Sequence, residues 1–223
     1  MRWKNRCKRA LRLLVMFIGI GTNITGCSAT ELEERCFPMM VTVGYENKKV
    51  TFGAAFPKDN AAGQEGAKES EIRTSEVSDV DFAASKEKYE NRLNKEADYN
   101  HMKVLVIEDE VLEKEGIYDA MIEALMQTED FPRNTYVCVA DDVSDLYELG
   151  QTISQDLGTY LEEYIKKHEK DKGQLLTLGD LMNEKANQSR ILYLPYLEVE
   201  EKYLEWKGYM NTVGKIWKES IVE

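Results

Sequence analysis

Residues 101–140 constrain the fold more than any other stretch. His101 to Ile107 (HMKVLVI) is the strongest strand in the chain, and Thr135 to Ala140 (TYVCVA) is the next. Between them Leu112, Gly116, Ile117, Ala120, Met121, Ala124 and Leu125 recur on one side of a long helix that Asp109 can cap. A strand, a long helix and a strand with short joints predict two parallel neighbours linked by a right-handed crossover.

The flanking segments add strands and helices without regular alternation. Met39 to Tyr45 and Val50 to Phe56 flank Glu46-Asn47-Lys48 as a hairpin. In its second strand Val50, Phe52, Ala54 and Phe56 share one face, which predicts a sheet with one buried side. Residues 57–77 lose nearly all large apolar side chains and gather Gly, Ala, Ser, Glu and Lys, so they read as a disordered loop. Phe82, Lys86, Tyr89 and Leu93 then predict a helix running to about Lys95. Leu157, Tyr160, Leu161, Tyr164, Ile165 and His168 form the stripe of a further helix. Thr177 and Asp180 have capping-box spacing ahead of a short helix with Leu178, Leu181, Met182 and Ala186. Ile191 to Leu197 is a strand whose Pro195 requires an edge or a bulge, and Tyr203 to Trp217 reads as two more strands. The fold class is α+β: a mixed sheet packed with several helices, with an N-terminal hairpin and one βαβ crossover.

The N-terminus sets where this domain works. Arg2, Lys4, Arg6, Lys8, Arg9 and Arg12 precede an apolar run, Leu13 to Ile20, and Ile24-Thr25-Gly26-Cys27 closes it. That order is a secretory leader, and about eight apolar residues fall far short of the roughly twenty that span a bilayer. Ile-Thr-Gly-Cys resembles the lipobox of bacterial lipoproteins, which implies cleavage before Cys27 and a diacylglyceryl anchor on its thiol; two acyl chains hold firmly where one is marginal. The expected organisation is a signal peptide over 1–26, a tether over 27–38 and one domain over 39–223.

Removing the leader takes six basic residues and no acid, which leaves 23 basic against 41 acidic residues, near −18. Such a surface disfavours nucleic acid and polybasic docking on anionic lipid, so the anchor must hold the membrane. Cys36 and Cys138 alone remain in the folded part, where two buried thiols are favoured over a bridge. The motifs HExxH, CxxC and GxSxG and a glycine-rich phosphate loop are all missing from the sequence. No catalytic residue, cofactor or metal site is assigned, and a metal site would have to be built of carboxylates alone. Glu108, Asp109 and Glu110, like Asp141 and Asp142, read as acids at helix starts. Lys103 to Glu110 (KVLVIEDE) looks like the opening of a two-component receiver, but no later strand supplies the phospho-acceptor aspartate or the lysine. His168 completes an apolar stripe, and Tyr193, Tyr196, Tyr203, Trp206, Tyr209 and Trp217 read as strand core rather than a ligand groove.

With these residues placed, the chain resembles the N-terminal domain of the C-subunit lipoproteins of bacterial spore germination receptors. The matching positions are Cys27 in its lipobox, Glu31-Leu32, the first hairpin, His101 to Ile107, Glu115-Gly116, Thr177-Leu178, Leu194-Pro195 and Gly208. The resemblance implies a non-enzymatic subunit of a nutrient germinant receptor, lipid-anchored on the outer face of the membrane around the spore core. Its implied partners are the receptor's membrane subunits.

Two other classes compete. One is an extracytoplasmic solute- or cell-wall-binding lipoprotein, for which the mature chain is short. The other is a hydrolase with a carboxylate pair, Glu108 with Asp141 or Asp142, at the C-terminal ends of strands where parallel sheets bind ligands. A raised pKa on one of these acids would favour it.

Overall fold

The computed structural model describes residues 34–57, 76–172, 175–187, 191–212 and 216–217. The leader and Cys27 lie outside the described residues.

The first strand of the described residues is β1 (Arg35–Cys36), within the span expected as the tether. Arg35 donates to Asp98 across 3.0 Å. The hairpin follows as β2 (Met40–Glu46) and β3 (Lys49–Ala55). Its two turn residues, Asn47 and Lys48, both take positive φ, the geometry whose twist matches that of the flanking strands. Most of the segment read as a disordered loop, 58–75, lies outside the described residues. Its end is ordered, because Val77 opens β4 (Val77–Asp79) and pairs with Phe52. Asp81 then caps α1 (Phe82–Glu90), accepting from Ala84 N–H at 2.9 Å. The helix stops at Glu90 rather than near Lys95, and Arg92 and Leu93 continue as tight turns onto Tyr89 and Glu90.

After β5 (Glu96–Ala97), which pairs in parallel with β1, the predicted crossover begins. β6 (Val104–Glu108) starts three residues later than His101, which belongs to a single 3-10 turn. The expected long helix is two, α2 (Asp109–Glu113) and α3 (Ile117–Gln127), broken where Gly116 adopts φ +79°. Glu108 rather than Asp109 occupies the N-cap position of α2, and it makes no side-chain capping bond there. β7 (Tyr136–Ala140) returns parallel to β6, in register from Val104 opposite Tyr136 to Glu108 opposite Ala140.

Asp142 caps α4 (Val143–Thr152), and α5 (Leu157–Lys172) follows. The Thr177/Asp180 box forms as the spacing predicts: Thr177 N–H donates to the Asp180 carboxylate at 2.8 Å and Asp180 N–H to Thr177 Oγ1 at 3.3 Å. It opens α6 (Leu178–Asn187). β8 (Tyr193–Glu200), β9 (Tyr203–Asn211) and β10 (Ile216–Trp217) complete the sheet. Pro195 is in an interior strand, and the register shifts between Tyr196 and Leu197 just after it, so the bulge takes the irregularity a proline imposes.

The eight-stranded sheet runs β10-β9-β8-β7-β6-β2-β3-β4. Its centre, β2 to β8 through β6 and β7, is parallel, and both flanks are antiparallel, so the expected α+β mixed sheet is what forms. Both faces are buried, against the expectation of one. Val41, Phe52, Leu105 and Val139 meet α1, α3 and α6 through Phe82, Met121, Ile122 and Leu181. Met40, Val104, Val106 and Cys138 meet α4 and α5 through Leu146, Leu161 and Ile165. Strands covered on both sides lose the polar alternation of a half-buried sheet. Among the described residues no helix is long and apolar enough to cross a membrane.

Candidate functional site

The two hairpin strands carry the same three-residue pattern, Thr42-Val43-Gly44 in β2 and Thr51-Phe52-Gly53 in β3. The register sets Thr42 opposite Gly53 and Gly44 opposite Thr51. Side chains alternate along a strand, so all four point to one face of the sheet, the face covered by α4 and α5. Two glycines and two threonines leave that face hollow where larger residues would fill it. A Cβ on Gly44 would land on Glu108 Oε2, and one on Gly53 would lie 2.6 Å from Tyr147 Oη and 2.7 Å from Thr42 Oγ1. The glycines are there for space.

Three elements send polar side chains into the hollow. Glu108 comes from the C-terminal end of β6, Tyr147 from α4, and Glu76 from the residue before β4. Tyr147 Oη and Thr42 Oγ1 share a 2.9 Å hydrogen bond, and the Thr42 hydroxyl donates to Glu76 Oε1 at 3.3 Å. Glu108 Oε1 accepts from Val143 N–H at 3.3 Å, and the carboxyl accepts from the Tyr45 amide as well. Glu108 therefore serves the start of α4, a neighbouring helix, rather than the helix it precedes. Thr51 Oγ1 is buried without a hydrogen-bond partner.

Burial governs the electrostatics. It pushes Glu108 up to about 7, and repulsion from Glu76 and Asp142 adds to the effect against the two backbone donors. Glu76 is raised for the same first reason, with the Thr42 hydroxyl opposing and Asp142 and Glu46 reinforcing. Burial also pushes Asp109 up to about 6, and repulsion from Asp141 adds to the effect. These shifts run opposite to those of acids stabilised at helix starts. By position the helix-start reading holds for Asp109 and Glu110, in the first turn of α2, and for Asp142, which accepts from Ser144 N–H at 2.7 Å as the α4 cap.

Glu108 shares its pocket with Glu76 and feels Asp142, while Asp109 faces Asp141. Glu76 and Tyr147 went unnoticed, and neither carries a sequence signal. The repeated Thr-x-Gly in the two hairpin strands was the readable sign. His168 is satisfied by Tyr164 O at 2.8 Å and stacks against Tyr164, with ring centroids 4.3 Å apart. Cys36 and Cys138 are not joined by a disulfide: Cys36 Sγ lies against the Lys95 and Glu96 carbonyls, and Cys138 is buried. Of the C-terminal aromatics, Tyr196 and Tyr209 are core, whereas Tyr203 is 71% exposed. A separate concavity of about 290 Å³, lined by Val50, Val80, Ile117, Met121 and Ala124 among others, lies between α1 and α3. Among the described residues no three His, Cys, Asp or Glu side chains gather as a metal cluster.

Comparison with curated proteins and with solved structures yielded no match. A family model does match: the spore germination protein N-terminal domain, over residues 28–199. That span holds both hairpin strands, the crossover, the six α-helices of the described residues and every side chain of the two-glutamate pocket. The chain therefore belongs to the spore germination protein N-terminal domain family.

Proposed function

We propose that the chain is a non-enzymatic, membrane-tethered lipoprotein subunit that acts as the C subunit of a nutrient germinant receptor. The family match over 28–199 carries this reading. It begins one residue after Cys27, the residue that the leader and its lipobox mark for acylation. Acylation at Cys27 holds the domain against the outer face of the membrane, and the domain associates there with the receptor's membrane subunits. The strong acidic excess of the mature chain suits selective docking on polar or basic partner patches rather than binding to anionic headgroups.

The test uses a deletion strain complemented with wild-type protein or with Cys27→Ala. The variant is expected in the soluble fraction or as unprocessed precursor, with loss of co-purification with the membrane subunits and of nutrient-triggered germination. A Cys27→Ala protein recovered in mature, tightly membrane-bound form would overturn the anchor. A wild-type protein that is anchored but co-purifies with no receptor subunit would overturn the assembly role.

A further inference from the structure

The Glu76–Glu108 pocket has a chemistry that neither tethering nor assembly uses. Two half-buried carboxyl groups act on one another, and the charged neighbours that act on them, Asp142 and Glu46, are also acids. Among the described residues no lysine or arginine forms an ion pair with either glutamate. The third feature is independent of the acids. Thr51 is 4% exposed, and its Oγ1 has no hydrogen-bond partner. That oxygen lies 2.5 Å from the point a Gly44 Cβ would occupy, the point on which Glu108 Oε2 also converges. A buried hydroxyl without a partner carries a desolvation penalty, and here it lies beside a carboxyl that no cation offsets among the described residues.

We propose that this pocket binds a hard divalent cation of the calcium type, coordinated by Glu76, Glu108 and Thr51. The donor set is oxygen only, which suits calcium over zinc or copper. Calcium accepts six to eight oxygens at about 2.3–2.6 Å in flexible geometry, with water completing the shell. Both glutamates remain partly exposed, so water and the ion have access. Magnesium is a poorer fit, because it demands near-octahedral ligands at about 2.0–2.1 Å and gives up its water reluctantly. A cation here answers two features together. It offsets the repulsion between the two acids and engages the Thr51 hydroxyl, at the level where Gly44 lets Glu108 approach the sheet. It also ties β3, β6 and the segment leading into β4 to one point.

The full-length chain, stripped with chelator, would be titrated with calcium chloride by isothermal calorimetry at pH 8. The expected result is one saturable site per chain, with affinity in the range of extracellular calcium modules, about 10⁻⁴–10⁻³ M. Magnesium chloride should bind at least about tenfold more weakly, given its stricter geometry. Glu76→Gln/Glu108→Gln should abolish the site, and Thr51→Val, nearly the same shape, should weaken it about tenfold, as one lost ligand would. The valine variant keeps the test open if the double amide does not fold. Absence of saturable calcium binding to folded wild-type protein overturns the proposal. So does binding that survives unchanged in the folded variants, which would assign calcium to the acidic surface at large. Equal affinity for magnesium would overturn the calcium assignment.

Discussion

Replacing Glu108 by glutamine removes a charge and keeps the shape of the side chain, and the structure gives both the sign and the size of the effect. In the folded chain the carboxyl titrates at about 7 against an ordinary value of 4.5. The folded state therefore holds the proton more tightly than the unfolded state between these two values, and stability falls as pH rises through the window. The penalty is absent below about pH 4.5 and complete above about pH 7. At about 1.36 kcal/mol per unit the full shift corresponds to about 3 kcal/mol. The carboxyl is partly exposed, and solvent screening reduces this to about 1–2 kcal/mol. Glutamine cannot ionise, so in chelator at pH 8 Glu108→Gln should be more stable than wild type by that amount. At pH 5 the two should be nearly equal, since the wild-type carboxyl is then protonated and neutral, and the amide oxygen accepts from Val143 N–H as the carboxyl's carbonyl oxygen does. Urea unfolding reads this directly: with slopes of about 1–3 kcal/mol per molar, the midpoint should rise by about 0.5–1 M at pH 8 and barely move at pH 5. A variant destabilised equally at both pH values would refute the argument. It would show that Glu108 contributes through its hydrogen bonds and carries no burial penalty.

Two further substitutions probe the same pocket. Gly44→Ala places a Cβ on Glu108 Oε2 and should cost about 1–3 kcal/mol by overpacking. Thermal unfolding of Gly44→Ala/Glu108→Ala should recover most of that cost, and additive losses would show that the glycine is not there for space. Asp142→Ala should lose about 1 kcal/mol with the α4 cap. Asp142→Asn keeps a capping oxygen while relieving repulsion on Glu76 and Glu108, so at pH 8 it should match or exceed wild type in melting temperature; an asparagine variant as weak as the alanine one would contradict this.

How far the sequence revealed this fold depends on whether neighbours along the chain or neighbours in space decided each element. The parallel pair β6 and β7 was legible because apolar, β-branched runs too short for helices are decided locally. The Thr177/Asp180 cap was legible because its bonds span three residues. The break between α2 and α3 was not, because Leu112 before it and Tyr118, Met121, Ile122 and Leu125 after it pack into one core. The apolar stripe therefore runs through Gly116 as though the helix did. The start of β4 was hidden for a different reason: Val77 is held by Phe52 from another strand, and the composition of 57–77 says nothing of that partner.

The pocket was visible in the sequence but was read with the wrong sign. Thr51, Gly53 and Ala55 alternate with the apolar residues of β3, and period-two reasoning assigned that face to water. A water-facing strand gains nothing from glycine, which weakens it by about 0.5–1 kcal/mol relative to alanine. Glycine repeated on adjacent strands, each two residues from a threonine, instead marks a face made shallow so that side chains from elsewhere can enter. Here they are acids, brought by the end of β6 and by the residue before β4. On this reasoning small residues at alternate strand positions signal burial when they are glycine in register across a hairpin. The same positions signal exposure when they hold lysine, glutamate or serine, which have no need of a partner above them.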